Sequence, residues 1–192
     1  MIASRRTLLR AALYGLPFAT CPAIWAHAAP LTQPAPSPED APGRLAAVLD
    51  RRLALGVEVA RAKWNSGQPI QDVPREQAVI EATVNRATAE GIDPALARAV
   101  IVAQIAASRA LQESLHADWK AAGQGRFADA LDLGRDLRPQ FDALGSDLLA
   151  ALKDAEPALA TPAGRRAMLE AGDRFMALRP AAARAAALAP FR

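Results

Sequence analysis

The sequence predicts an all-α fold, and three observations carry that prediction. From Leu45 onward, apolar residues recur at three- and four-residue intervals in a background of alanine and arginine, both strong helix formers. Between those stretches stand the residues that start and stop helices: an Asp-Pro pair, a Thr-Pro pair and several glycines. No run of alternating β-branched residues reads as a strand. With 192 residues, the chain is expected to form a single-domain helical bundle preceded by a signal peptide.

Residues 1–28 read as an address label rather than as part of the fold. Arg5, Arg6 and Arg10 form a positive head, a mostly apolar stretch runs from Ala11 to Trp25, and Ala26-His27-Ala28 offers a small-x-small cleavage site. Ser4-Arg5-Arg6-Thr7-Leu8-Leu9 resembles a twin-arginine export signal. The apolar stretch contains Pro17 and Pro22 and falls short of the ~20 residues of a membrane span. Cleavage between Ala28 and Ala29 is expected, leaving a periplasmic or secreted protein with no membrane attachment. Residues 29–42 are proline-rich and read as a linker. The helical domain is expected over 43–192, with one half at about 43–122 and a C-terminal half at about 126–192.

Within it, the first helix is predicted at about 43–65, stopped by Asn65-Ser66-Gly67-Gln68-Pro69. Asp72 caps a second helix, with Pro74 in its first turn and Gly91 past its end. Asp93-Pro94 opens a third that runs to about Ala121, where Gly123 and Gly125 break it. A fourth is expected at about 135–154 with Pro139 in its first turn. A fifth runs from Thr161-Pro162 to about Leu178, and Pro180 and Pro190 bracket a short tail. The short connections favour antiparallel neighbours.

Charge and cysteine content exclude several function classes. The formal charge is +3, but residues 1–28 hold three arginines and no acid, so the remainder is close to neutral. A nucleic-acid partner, which needs a basic surface, loses its support. Cys21 lies within the leader, so the mature chain has no disulfide and no thiol nucleophile. His116 is then the one histidine left, too few for a zinc site or a Ser-His-Asp triad.

The remaining candidates for chemistry are polar residues set into the helices. Arg52 and Lys63 are eleven positions apart and fall nearly on one line of the first helix, whereas Arg51 points about 100° away. Lys63 is one of three lysines among twenty arginines. Asp72, Arg75 and Glu76 cluster at the start of the second helix. Ser108 and Gln112 share a face of the apolar third helix, with Gln104 on the same stripe. Each of these positions is compatible with an ordinary solvated or packed side chain. Together they compose a site with several cations, a neutral amide and one carboxylate, suited to a small dicarboxylate. With no clear nucleophile, such a site acts by orientation and electrostatic stabilisation.

The string Arg52…Lys63…Asp72-x-x-Arg75-Glu76…Ser108-x-x-x-Gln112 resembles the active-site pattern of the all-helical chorismate mutases. Val59-Ala60-Arg61-Ala62-Lys63-Trp64 and Gln104-Ile105-Ala106-Ala107-Ser108 resemble the exported, gamma subclass of that family. The resemblance extends from about Leu45 to Lys120. It implies the rearrangement of chorismate to prephenate, without metal or cofactor, and a possible homodimer. It further implies that Arg52 and Arg75, with Ser108, grip carboxylates, and that Lys63 and Gln112 donate to the ether oxygen. Glu76, with the backbone near Asp72, would hold the ring hydroxyl. The family's additional carboxylate-binding arginine aligns near Asp147, which has the wrong charge; Arg138 is the better substitute and Arg135 the other. An isochorismate-pyruvate lyase and a non-catalytic helical binding protein are the alternatives.

Overall fold

The computed structural model describes residues 41–192; the expected leader and all but the last two residues of the expected linker lie outside them. The described residues form six α-helices and no strand. They are α1 (Ala41–Ser66), α2 (Val73–Ala89), α3 (Pro94–Ala121), α4 (Arg138–Leu159), α5 (Pro162–Phe175) and α6 (Ala181–Leu188). A π-turn at Leu133–Leu137 leads into α4, and a 3₁₀ turn at Ala189–Phe191 ends the chain.

The helix termini follow the local chemistry. Asp72 caps α2 by accepting from the Arg75 amide, and Asp93 caps α3 by accepting from the Ala95 amide. At the end of α2, Gly91 takes φ +71°, so that its own N–H reaches Thr88 O and that of Ile92 reaches Ala87 O. Gly123 repeats this arrangement after α3, at φ +65°.

Four expectations need correction. The first helix begins two residues early, taking Ala41 and Pro42 from the linker, because proline is tolerated in a first turn. The fourth helical region starts as a π-turn at Leu133 and runs on to Leu159 through Pro157. The fifth helix stops at Phe175 rather than about Leu178. The tail between Pro180 and Pro190 is itself a helix, α6, with Ala183, Ala187 and Leu188 buried.

Two long helices form the centre. α1 packs against α3, α4 and α5, while α3 also carries α2 and α6. The core comprises Leu45, Leu49 and Leu53 of α1, Ile101 of α3, Leu148, Leu149 and Leu152 of α4, Met168 of α5 and Phe191. α1 and α3 run parallel: Gly56 meets Ser108 and Leu111, and four residues on Ala60 O meets His116 Nε2 at 2.9 Å. α2 is the return stroke between them and packs chiefly on α3, which leaves a space between α1 and α2. α4 runs antiparallel to α1, as the Arg44–Asp154 and Arg51–Asp147 ion pairs show, and its first turns close that space from the side.

Candidate active site

The space between α1, α2, α3 and the start of α4 is a cleft of about 460 Å³. All eight expected site residues line it: Arg52, Lys63, Asp72, Arg75, Glu76, Ser108, Gln112 and Arg138. Their convergence follows from the helix geometry. Arg52 and Lys63 stand three turns apart on the cleft side of α1, whereas Arg51 turns outward and pairs with Asp147 at 2.8 Å. Asp147 therefore belongs to the outer surface. Arg138, at the first position of α4 beyond the π-turn, reaches the cleft; Arg135 instead lies exposed against Asp136.

Each side chain is held in a definite way. Arg52 is 9% exposed and faces the Phe141 ring at 5.5 Å, and its Nε has no hydrogen-bond partner. Desolvation by that burial lowers its pKa to about 10, so it is still charged at neutral pH. Lys63 Nζ donates to Ile70 O at 2.5 Å, which spends one of its three N–H bonds on the loop after α1. Burial lowers the Lys63 pKa, and Asp72 and Glu76 partly oppose the shift. Gln112 is 4% exposed; its Nε2 donates to Ser108 Oγ at 3.0 Å and keeps a second N–H. Glu76 lies 3.8 Å from Arg109 Nη1.

Of the lining residues that were not among the expected site residues, three bear most on the charge of the cleft and on how Arg52 is held. Arg109 stands three positions before Gln112, and that spacing on α3 was a signal available in the sequence. Arg86 lies ten positions after Glu76, near the end of α2, and donates to Ser146 Oγ at 3.2 Å; nothing in its sequence setting marks it. Phe141 comes from α4, and its place under Arg52 depends on how α4 docks. The cleft thus holds six cations, Arg52, Lys63, Arg75, Arg86, Arg109 and Arg138, against Asp72, Glu76 and Asp142. The imbalance is local, since the chain beyond residue 28 is nearly neutral, and it favours an anion of more than one charge.

His116 is outside the cleft. It belongs to an aromatic cluster with Trp64, Trp119 and Phe127 that anchors the segment after α3. Asn65 tightens that anchor through paired bonds with Phe127.

Fold and cleft together define, over the described residues, a helical protein with a strongly cationic cleft that suits a small dianion and is lined by no thiol or imidazole. A model of the chorismate mutase type II family matches residues 43–113. The structure of chorismate mutase from Burkholderia thailandensis superposes with a TM-score of 0.73 at 37% identity, covering 80% of this chain and 99% of that one. That from Burkholderia phymatum gives 0.69 at 25% identity, covering 80% and 97%. The secreted chorismate mutase of Mycolicibacterium smegmatis is 32% identical over 115 residues, 60% of this chain and 63% of that protein's length. The chain belongs to the chorismate mutase family.

Proposed function

We propose that the protein is an exported chorismate mutase that converts chorismate to prephenate. One observation carries this reading: the whole spaced string, from Arg52 to Gln112, faces one cationic cleft in a chain of this family. The reaction is a unimolecular rearrangement in which an ether C–O bond breaks as a C–C bond forms. It needs a folded substrate and donors at the ether oxygen, where negative charge grows.

Arg52 and Arg75 supply paired donors for the carboxylates, assisted by Ser108 and by Arg138 from α4. Lys63 and Gln112 approach from α1 and α3, each with an N–H left for the ether oxygen. Glu76 accepts from the ring hydroxyl beside Asp72 and is steadied by Arg109. Fixed donors of this kind favour the transition state, and losing one typically costs ~3 kcal/mol. Secretion of a relative and the arginine-headed leader support export with cleavage after Ala28, leaving the helical domain as the working unit. We propose a homodimer on the family resemblance alone.

The test is to add purified protein, residues 29–192, to chorismate and to isochorismate in separate reactions. Loss of chorismate absorbance with prephenate as product is the expected result. Pyruvate release from isochorismate alone would establish the lyase instead, and no turnover of either would leave a binding protein.

A further inference from the structure

The roles above leave one buried amide in the cleft unused. Gln104 lies one helical turn before Ser108 and two before Gln112 on the same stripe of α3. It is 3% exposed and lines the cleft, yet neither its Nε2 nor its Oε1 has a hydrogen-bond partner. A buried amide unpaired at both ends is a standing cost to the fold that an apolar side chain of similar size would avoid. Arg52 Nε is in the same condition. The parallel register of α1 and α3 sets these two residues level with each other, four positions before the contact of Gly56 with Ser108. Two unsatisfied polar groups from facing helices thus border one space.

We propose that Gln104 is a further substrate-binding residue. Its Nε2 donates to an oxygen of the carboxylate seated on Arg52, and its Oε1 accepts from Arg52 Nε, which squares the guanidinium to that carboxylate. The inference rests on the dicarboxylate reading of the cleft and adds a neutral donor to its charged ones. A neutral amide suits the position, because a further cation beside the already desolvated Arg52 would raise the cost of burial.

The experiment compares wild type, Gln104→Leu, Gln104→Met and Gln104→Glu in steady-state turnover of chorismate, with thermal midpoints for each. In the Leu and Met variants KM is expected to rise about 10- to 100-fold, the loss of a hydrogen bond to a charged group, with kcat within about threefold. Their midpoints are expected to equal or exceed that of wild type, since the unpaired amide is gone. The Glu variant is expected to show a KM above that of Leu at pH 8, falling as acid neutralises the new carboxyl. An unchanged KM in Leu and Met overturns the proposal, as does a KM increase accompanied by lower midpoints in both. Wild type without activity would instead overturn the functional reading and this inference with it.

Discussion

Arg51 and Arg52 are adjacent and chemically identical, yet one meets solvent and Asp147 while the other lies almost wholly buried in the cleft. No carboxylate of the described residues pairs with Arg52, so its buried charge is a cost to the fold. Arg52→Met is expected to raise the thermal midpoint by ~2–4 °C, equivalent to ~1 kcal/mol, while abolishing saturation by chorismate. A lowered midpoint in calorimetry would show that the charge is compensated. Gln112 donates at any ordinary pH, so wild-type activity is expected to be flat from mildly acid to mildly alkaline conditions. Its alkaline fall should begin below the ordinary lysine range, because burial lowers Lys63 and the ammonium loses its proton sooner. Gln112→Glu needs a protonated carboxyl to donate, and its rate is expected to drop about tenfold or more between pH 5 and 8; full activity at pH 8 would remove Gln112 from the ether oxygen. Arg138 and Arg135 separate in the same way. Arg138→Ala should raise KM about tenfold or more, whereas Arg135→Ala, exposed against Asp136, should leave it unchanged.

Among the elements, α2 and α3 were legible almost to the residue, since Asp72, Gly91, Asp93-Pro94 and Gly123 act within one turn of themselves. α4 was not, because its entry is a π-turn held by the Asp132 side chain and its exit passes through Pro157. That entry matters, for it delivers Arg138 and Phe141 to the cleft. The α4–α5 corner shows how close such joints can be. A Cβ on Gly164 would lie 2.0 Å from the Ala158 carbonyl oxygen, a backbone atom that cannot swing aside. Gly164→Ala is therefore expected to cost ~1–3 kcal/mol in urea unfolding. The corner contributes nothing to the cleft lining, so turnover per folded molecule should not change.

At the scale of the whole molecule, the C-terminal segment proves to be core. α6 packs on α3, and Leu188 sits so close over Gly172 of α5 that a Cβ there would lie 2.3 Å from it. Phe191, the penultimate residue, is 1% exposed among these helices. Phe191→Ala is expected to cost ~3–5 kcal/mol in the same unfolding assay, the price of a large buried ring. A change below about 1 kcal/mol would mean that the 3₁₀ turn after α6 merely decorates the bundle. By bracing α3 from behind, α6 supports the stripe that carries Gln104, Ser108 and Gln112 into the cleft.

By itself the sequence determined the helical class, most helix ends and seven of the polar residues that line the cleft, because caps, periodicity and spacing are encoded within a few turns of chain; an eighth, Arg138, came from the family resemblance. Only the tertiary structure decided that α1 and α3 run parallel with the cleft between α1 and α2, that Arg86 and Phe141 join it, and that Asp147 faces away. Those outcomes depend on how helices distant in sequence dock, and docking is settled by the fit of whole buried faces rather than by any local signal.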